Sequence, residues 1–407
     1  MSHFDVVIVG AGAAGIAAAR HLVTAGRRVQ LLEARSRVGG RAFTDVSLGV
    51  PADIGAAWLH FAEENAWTAL AAQQGCTVIR RNPNWGPGAF IDGRAPDETQ
   101  QEFAAAGYAR YEQLLAAAAG RDVSLASILP QDDYRTRFDA VMTWAVGVET
   151  DHVSTLDLAR YSHSQRNWAV AEGLGGVVTR AAQDLPVKLD CAVSQIHWGA
   201  ESVRLQTVAG DVTADSVIVT VPTTVLATDA IRFEPPLPAE YRDAFASLPL
   251  GVANKVFFDL PAAALPFADT THLLGRTDRS RTASYLVRPA GQPLLAAYFG
   301  GDLARELEAG GGLAEFARDE LRALFGAQVV NAIRGRLVTG WGQDPFALGS
   351  YSAARPGRAH CRELLARPLA PHLAFAGEAC SLPFYGTLHG AWLSGQAAAE
   401  RLVGAAN

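Results

Sequence analysis

The chain has 407 residues, of which 49% are hydrophobic and 19% are charged, so it is not disordered and predicts two or three domains with a sizeable core. Its 41 acidic residues outnumber its 35 basic residues, and the net charge of −6 gives no electrostatic reason to expect a nucleic-acid partner. No apolar run approaches the ~20 residues of a membrane-spanning helix, so no membrane partner is expected either.

The N-terminal segment predicts one βαβ unit. Residues 5–9, DVVIV, form the apolar run of a strand that is buried on both faces. An alanine-rich helix follows to about Thr24, and Val29–Leu32 predicts a second strand. The turn between the first strand and the helix has the spacing G-x-G-x-x-G, formed by Gly10, Gly12 and Gly15.

This glycine-rich turn is suited to a pyrophosphate. Gly10 permits the tight turn, Gly12 lets the backbone approach the phosphates, and Gly15 allows close packing of the helix. The helix offers its first N–H groups and the positive end of its dipole. Glu33 ends the second strand, where it can bond a ribose 2′-OH and would repel a 2′-phosphate. A dinucleotide that ends in plain ADP is therefore predicted.

The next loop carries a resemblance to a known family. The segment EARSRVGGR, from Glu33 to Arg41, resembles the E-A-x-x-R-x-G-G-R signature of the flavin amine oxidase superfamily. That superfamily includes monoamine oxidases, polyamine oxidases and flavin histone demethylases, and the resemblance runs nearly end to end. It implies that the dinucleotide is FAD and that Arg35 and Arg41 contact it.

Further segments extend the resemblance. DIGAAWLH at 53–60 looks like the family's segment near the flavin ring, and Val193 aligns with a valine whose backbone meets the adenine. DSVIVTVP at 215–222 resembles a strand that closes this part of the domain. Glu378 aligns with an acid that binds ribityl or ribose hydroxyls, and 386–391 opens a helix toward the flavin. The cofactor-binding residues implied in this way are Gly10, Gly12, Ala13, Ala14, Gly15, Glu33, Ala34, Arg35, Gly40, Arg41, Ala56, Ala57, Trp58, Val193, Gly377, Glu378, Thr387, Leu388 and Ala391.

The resemblance also implies the fold class. We expect an α/β fold, α+β overall, in which a Rossmann-like FAD-binding domain with the GxGxxG turn accompanies a discontinuous substrate-binding domain. The FAD-binding domain is predicted from 1–70, 187–240 and 342–407, and the substrate-binding domain from 71–186 and 241–341.

Periodicity gives a coarse outline of the predicted substrate-binding domain. The predicted elements are helices at 97–119, 135–147 and 303–325 and strands at 252–259 and 294–299. The stretch Pro83–Pro96 is rich in loop-forming residues and is expected near the substrate entrance.

Lys255 is the residue predicted to carry the chemistry. It interrupts an otherwise apolar strand, where burying an ammonium is unfavourable unless it finds water or a partner. It resembles the family lysine that holds a water against flavin N5, although a solvent-facing lysine on an edge strand is the alternative.

The segment 341–351, WGQDPFALGSY, matches the family's W-x₈-[CS]-Y segment at the flavin ring. The resemblance implies that Trp341 and Tyr351 share the catalytic site with Lys255. Ser350 stands where monoamine oxidases carry the cysteine that bonds the flavin, so non-covalent FAD is expected.

Four residues are predicted to bind the substrate. Tyr351 aligns with one wall of an aromatic cage around the amine, but the opposite wall aligns with Thr387, and Tyr385 is the candidate to replace the missing tyrosine. His60 is a further candidate for the site, and His389 is expected to line it as well. Trp58 stands where L-amino-acid oxidases of the superfamily carry a carboxylate-binding arginine, so an amine without an α-carboxylate is expected.

The function implied is oxidation of a mono-, di- or polyamine. The amine gives a hydride to flavin N5, the imine is hydrolysed to an aldehyde or ketone, and O₂ is reduced to H₂O₂. Glu63, Glu64 and Glu172 could attract a second ammonium, although a solvated helix surface explains the first two equally well. Two alternatives stay open: a flavin desaturase or dehydrogenase that uses another electron acceptor, and a non-catalytic flavoprotein.

The cysteines and the N-terminus bear on location. The N-terminal MSHFDVVIVG lacks the basic start and apolar core of a secretory signal. The cysteines lack the spacing of a disulfide framework or a zinc site: Cys76, Cys191, Cys361 and Cys380. We expect a cytoplasmic monomer or homodimer that binds no metal and whose partners are a small amine and O₂.

Overall fold

The computed structural model describes residues 3–85, 89–199 and 202–405. The strands, numbered in chain order, are β1 (His3–Val9), β2 (Val29–Leu32), β3 (Thr44–Asp45), β4 (Ala52–Asp53), β5 (Leu59–His60), β6 (Val78–Ile79), β7 (Asn167–Val170), β8 (Val187–Lys188), β9 (Val193–His197), β10 (Val203–Thr207), β11 (Gly210–Val219), β12 (Arg232–Glu234), β13 (Leu250–Gly251), β14 (Ala253–Asp259), β15 (Thr271–Leu274), β16 (Ser284–Val287), β17 (Leu294–Gly300), β18 (Gly335–Val338), β19 (Tyr351–Ser352) and β20 (Leu373–Phe375). The helices are α1 (Ala13–Thr24), α2 (Ala66–Gln73), α3 (Glu98–Ala117), α4 (Arg135–Val146), α5 (Thr155–Arg160), α6 (Leu174–Arg180), α7 (Thr223–Leu226), α8 (Ala239–Ser247), α9 (Gly301–Ala309), α10 (Leu313–Phe325), α11 (Ala327–Asn331), α12 (Cys361–Leu365) and α13 (Leu388–Ala405).

The largest sheet has a parallel core that runs β20, β11, β1, β2 and β8 across the sheet. The first half of β11 pairs instead with β10, which leads through antiparallel β9 to the edge strand β12. β1, α1 and β2 form the predicted βαβ unit within this sheet. The predicted α/β fold class is therefore confirmed.

The continuous apolar run of β1 follows from the burial of both its faces. Val6 and Ile8 pack into a core on the side of α1 and α13, while Val7 and Val9 pack into a second core on the side of α8 and α12. Successive side chains of a strand point to opposite faces, and here both faces are covered. An apolar residue is needed at each of these positions for that reason.

Small residues bring the elements around the first turn into close contact. A Cβ atom added at Gly15 would lie 1.9 Å from the carbonyl oxygen of Gly10, and one at Gly395 would lie 2.0 Å from that of Ala14. The start of α1 can therefore pack against both its own turn and the C-terminal helix α13. Leu174 and Val177 of α6 join the same core.

A second sheet is antiparallel throughout, in the order β15, β16, β17, β14 and β18. Helices α9, α10 and α11 supply residues to the core on one of its faces. The small ladders β13–β19 and β5–β7–β6 lie outside the two large sheets.

Most elements predicted for this region agree with the structure to within a few residues. The predictions at 97–119 and 135–147 correspond to α3 and α4, and 252–259 and 294–299 correspond to β14 and β17. The helix predicted at 303–325 is wrong as one continuous helix. It is interrupted by three glycines, because α9 ends at Ala309, Gly311 has φ +66°, and α10 begins at Leu313.

Among the described residues, no helix has both the length and the apolar character needed to cross a membrane.

Candidate active site

A continuous cavity of about 1130 Å³ extends from the turn after β1 to helices α3 and α4. Single small-molecule pockets are commonly about 300–1,000 Å³, so this volume leaves room for a dinucleotide and a separate substrate. We call the part beside the β1–α1 turn the cofactor end and the part beside α3 and α4 the substrate end.

The start of α1 forms the wall of the cofactor end. Gly12 is the N-cap residue and has no capping side chain, and Gly12, Ala13 and Ala14 all line the cavity. A Cβ atom at Gly12 would meet nothing within 4 Å, so the cavity is open at that point. An uncapped helix N-terminus that faces an open space fits the phosphates of a dinucleotide.

Glu33 lies beside this turn and is held by two backbone groups. Its carboxylate accepts hydrogen bonds from the backbone N–H of Ala11 at 2.8 Å and of Arg35 at 2.9 Å. The residue is 6% exposed and lines the cavity. A carboxylate has about four lone-pair sites, so this one keeps capacity for ribose hydroxyls.

The two arginines of the second loop line the cavity and are paired with distant residues. Arg35 donates two hydrogen bonds, at 2.8 and 2.6 Å, to the carboxylate of Asp344. Burial raises the pKa of Asp344, but its hydrogen bonds to Arg35 and the charge of Arg35 lower that pKa below its usual value. Arg41 donates to the Glu378 carboxylate at 3.0 Å and to the Ser350 carbonyl at 2.7 Å. The sequence signal for Arg35 and Arg41 was the loop signature, whereas nothing in the sequence indicated Asp344.

Glu378 organises the turn that leads into α13. Besides Arg41, its carboxylate accepts hydrogen bonds from the hydroxyl of Ser352 at 2.7 Å and from the backbone N–H of Gly386 at 2.9 Å. Burial raises the pKa of Glu378, but the positive charges of Arg41 and Arg362 outweigh that effect and lower it. Glu378 is therefore a buried anion at the cavity wall.

Lys255 lies on β14, which pairs with β17 on one side and β18 on the other. The edge-strand alternative is therefore excluded. Its ammonium donates to the backbone carbonyls of Asp53 at 2.8 Å and Gly55 at 2.7 Å. Burial lowers the pKa of Lys255 to about 8, and the nearby charge of Asp53 opposes this shift. Because an ammonium has three donors, one N–H remains for a group in the cavity.

Trp341 holds the same segment from the other side. Its indole N–H donates to the carbonyl of Ile54 at 3.0 Å, between the two carbonyls that Lys255 binds. A Cβ atom at Gly55 would lie 1.8 Å from the Arg41 carbonyl oxygen and 3.2 Å from the Trp341 ring. The two predicted catalytic residues thus fix three successive carbonyl groups of the cavity wall.

Asp53 is the residue that links this wall to α6. Its carboxylate accepts hydrogen bonds from the backbone N–H of Leu174 at 2.9 Å and of Gly175 at 3.2 Å, at the start of that helix. Burial raises the pKa of Asp53, while a 2.6 Å hydrogen bond from Thr44 and the helix N–H groups oppose the rise.

Two tyrosines form the aromatic wall next to Lys255. The Tyr351 hydroxyl donates to the Trp144 carbonyl at 2.5 Å and lies 3.0 Å from the Tyr298 hydroxyl. The Lys255 ammonium lies 6.0 Å from the ring centre of Tyr298. Burial raises the pKa of Tyr298 to about 12 and that of Tyr351 well above its usual value, so both hydroxyls keep their protons. Sequence reasoning missed Tyr298, whose only signal is a polar aromatic in an apolar strand.

Tyr385 and Thr387 also line the cavity, near the start of α13. The Tyr385 ring lies 3.9 Å from the guanidinium carbon of Arg362 and is edge-on to Tyr161, another cavity residue that the sequence did not indicate. The Thr387 hydroxyl accepts a hydrogen bond from the backbone N–H of Gly390 at 2.9 Å and so caps the helix. Thr387 is therefore fixed by its own helix.

His60 and Trp58 complete the predicted wall. His60 Nδ1 lies 2.6 Å from the Asn167 side-chain oxygen, and burial lowers the pKa of the imidazole. Trp58 packs edge-on against Trp85, with ring centres 5.1 Å apart, and both line the cavity. Trp85 lies in the stretch Pro83–Pro96 expected near the entrance; residues 86–88 of that stretch lie outside the described residues.

The structure corrects several placements. Gly15 does not line the cavity, because its missing side chain serves the contact with Gly10. His389 packs against Phe61 and Phe384 and does not line the cavity. The acidic residues expected to attract a second ammonium are exposed on the outer surface and do not line the cavity either: Glu63, Glu64 and Glu172.

The remaining predicted cofactor-binding residues line the cavity. They are Gly10, Ala34, Gly40, Ala56, Ala57, Val193, Gly377, Leu388 and Ala391. Their individual roles toward the cofactor stay predictions.

Comparison with known proteins assigns this chain to a family. The model of the family described as flavin containing amine oxidoreductase matches residues 13–84 and 88–403. Polyamine oxidase 4 of Oryza sativa subsp. japonica is 30% identical, over 97% of this chain and 88% of its own length. Polyamine oxidase 2 of Arabidopsis thaliana is 28% identical, over 97% of this chain and 87% of its own length. Lysine-specific histone demethylase 1 homolog 2 of Arabidopsis thaliana is 28% identical, over 99% of this chain and 59% of its own length. With a match this extensive, and with an uncapped helix N-terminus facing a cavity of dinucleotide size, the chain is a member of the flavin-containing amine oxidoreductase family.

Proposed function

We propose that this protein oxidises an amine with non-covalently bound FAD and O₂, producing an aldehyde or ketone and H₂O₂. The observation that carries the proposal is the position of Lys255, a half-buried lysine on a central strand whose ammonium has one N–H left for the cavity. The similarity to polyamine oxidases supports an amine as the substrate.

The cofactor end would hold FAD through backbone and side-chain groups. The start of α1 would face the pyrophosphate, Glu33 the ribose hydroxyls of the adenosine, and Glu378 the hydroxyls of the ribityl chain. When bound, FAD supplies the two-electron oxidant that takes a hydride at N5 from the carbon beside the amine nitrogen.

Lys255 would act on a proton at the cavity wall. Its pKa of about 8 is close to neutrality, so the group can give a proton and recover it without a large energetic barrier. Its two hydrogen bonds to backbone carbonyls fix the nitrogen, and the third N–H would orient a water or carry a proton toward O₂ as it is reduced.

The aromatic wall would exclude water and orient the amine. Tyr351 and Tyr298 present protonated hydroxyls, and the ring centre of Tyr298 lies 6.0 Å from the Lys255 ammonium. A positively charged lysine disfavours a second cation nearby, so the amine would react in its neutral form, as loss of a hydride requires. The imine product is released into water. Hydrolysis then converts it to the carbonyl compound and ammonia or a smaller amine.

Ser350 supports the non-covalent attachment. Its hydroxyl donates to the Ala253 carbonyl at 2.7 Å and accepts from the Ala253 N–H at 2.9 Å, so it ties the loop to β14. A hydroxyl in this position offers no thiol to bond a flavin methyl group.

The test is anaerobic mixing of the purified flavoprotein with mono-, di- and polyamines, followed by admission of O₂. We expect an amine to bleach the flavin absorbance, and O₂ to restore it with one H₂O₂ formed per aldehyde. Bleaching that only an artificial electron acceptor can reverse would favour the dehydrogenase instead. Absorbance that no amine changes would contradict the proposal.

A further inference from the structure

The substrate end of the cavity holds a buried cation without an anionic partner. Arg137 on α4 is 9% exposed and lines the cavity. Its guanidinium carbon lies 6.0 Å from the ring centre of Tyr134, and among residues 3–85, 89–199 and 202–405 no acceptor within hydrogen-bonding distance of it is found. A buried guanidinium is unfavourable unless it is paired, so this position suits an anion that comes from outside the chain.

A second unsatisfied polar group lines the same cavity. His272 on β15 also lines the cavity, and its Nδ1 is buried with no hydrogen-bond partner in the described parts of the chain. Burial, and to a smaller extent the positive charge of Arg137, lower the pKa of His272 to about 4. At neutral pH the imidazole is uncharged and can donate one hydrogen bond next to a fixed cation.

The α4 helix sets the distance between Arg137 and the aromatic wall at Tyr351. Tyr134, Arg137, Val141 and Trp144 recur at helical spacing and line the cavity. The Trp144 carbonyl binds the Tyr351 hydroxyl, and Arg137 lies seven residues earlier, which is about 10 Å along the axis at 1.5 Å per residue. Helical side chains lean toward the N-terminus of their helix, and the contact of Arg137 with Tyr134 agrees with this direction. The guanidinium therefore lies even farther from Tyr351 than its backbone does.

The other charges of the cavity do not neutralise Arg137. Glu33, Asp53 and Glu378 line it but are bound by protein donors. Glu112 on α3 also lines the cavity, is exposed and makes no ion pair with Arg137 in the described structure. The buried part of the substrate end therefore carries a net positive charge.

We propose that Arg137, with His272 beside it, binds the carboxylate of a substrate whose amine is oxidised at the opposite end of the molecule. This rests on the proposed function, because it names the substrate class of the same site. A guanidinium binds a carboxylate through two parallel hydrogen bonds and repels a second ammonium. The substrate is therefore an ω-amino carboxylate with at least about 10 Å between its ends, roughly the span of three extended residues.

The first experiment compares three classes of substrate with one another at each chain length. Straight-chain ω-amino acids of increasing length are assayed beside the alkylamines and the α,ω-diamines of the same length. We expect the longer ω-amino acids to have the highest kcat/KM. Arg137→Met should lower the ratio of kcat/KM for the ω-amino acid to that for the alkylamine by about 30-fold or more, the effect of truncating a buried charged pair. Arg305→Met, which removes an exposed arginine on α9, is the matched control and should leave the ratio unchanged.

The second experiment needs no turnover. Octanoate, a carboxylate without an amine, should raise the melting temperature of the FAD-loaded wild-type protein in proportion to its binding, whereas octanol should do so less. Arg137→Met should abolish the octanoate effect while keeping its own melting temperature, because it removes an uncompensated buried charge. If that variant does not fold, Arg137→Lys is the substitute, because it keeps the charge and loses the bidentate hydrogen bonding. It should lower the ratio of kcat/KM for the ω-amino acid to that for the alkylamine by a smaller factor.

The outcomes separate the two claims. If octanoate protection depends on Arg137 but no amine bleaches the flavin, the carboxylate site stands and the amine oxidation fails. If amines are oxidised, diamines are preferred and the arginine variants leave the ratio unchanged, the carboxylate site is overturned and Glu112 is the better anchor.

Discussion

The two ends of the cavity differ in how their charged groups are bonded. At the cofactor end, Arg35 is paired with Asp344 and Arg41 with Glu378, and Glu33 is held by backbone N–H groups. At the substrate end, Arg137 and His272 have no such partners in the described structure.

This difference shows which end is complete by itself. The cofactor end satisfies its own side chains, so it is preformed, and its open groups are mainly the backbone N–H groups at the start of α1. The substrate end leaves a cation and an imidazole nitrogen without protein partners in the described structure, so both stay available to a ligand. The proposal of an ω-amino carboxylate substrate rests on these unsatisfied groups at the substrate end.

The largest expected effect lies where the two ends meet. Lys255→Met should leave FAD binding and the visible spectrum nearly intact, because it keeps the length and the apolar stem of the side chain. It should slow flavin reduction or reoxidation by about 10²–10⁴-fold, the usual contribution of a positioned acid–base group, with reoxidation affected more. Stopped-flow absorbance with amine under anaerobic conditions, and then with O₂, measures the two steps separately.

The matched control is Lys188→Met on the exposed end of β8, which should change neither rate. If the Lys255 variant keeps both rates within about threefold of wild type, a factor worth less than 1 kcal/mol, the lysine has only a structural role.

The preformed character of the cofactor end can be tested at Glu33. Glu33→Ala removes the carboxylate that is proposed to bind the ribose, together with its two bonds to backbone N–H groups, so we expect FAD binding to weaken by about 1–3 kcal/mol. Fluorescence titration of the apoprotein with FAD gives the change in Kd, and Glu102→Ala, an exposed site on α3, serves as the control. An unchanged Kd would mean that the ribose is held elsewhere.

The pKa of Lys255 predicts a pH dependence at the junction of the two ends. Burial lowers this pKa from 10.5 to about 8, so the ammonium is lost as pH rises through about 8. A step that needs its proton should then slow by about tenfold per pH unit above that value, since one unit corresponds to 1.36 kcal/mol. Reoxidation rates measured across this range should show the decline in wild type and not in Lys255→Met. A wild-type profile that stays flat to pH 10 would show that burial does not shift this group.

The last expected effect is on stability and lies at Ser350, away from the binding and redox steps. Ser350→Ala loses two hydrogen bonds with the backbone of Ala253, so we expect the free energy of unfolding to fall by about 1–3 kcal/mol. FAD should be released by acid precipitation from wild type and variant alike. Thermal unfolding and the absorbance of the acid supernatant measure the two outcomes, with Ser202→Ala as an exposed control. Flavin that stays with the precipitate would contradict non-covalent binding.

Much of the cofactor end could be predicted from local sequence. The spacing of Gly10, Gly12 and Gly15 and the acid at Glu33 are fixed by the geometry of one βαβ unit, in which all contacts are close in the chain. Periodicity and apolar runs also located α3, α4, β14 and β17, because the helices have one face against a core and the strands are covered on both faces. It failed at 303–325, where a run of glycines ends α9 before α10 begins.

The pairings across the cavity could not be predicted in the same way. The sequence established a dinucleotide-binding unit and, through its motifs, a family, because backbone turns and buried strands depend on neighbouring residues. Whether Lys255 was central or at an edge depended on β17 and β18, and whether Arg137 was paired depended on which residues the fold brings beside α4. Only the tertiary structure decided these points, because the energy of a buried charge is set by neighbours that are distant in the chain.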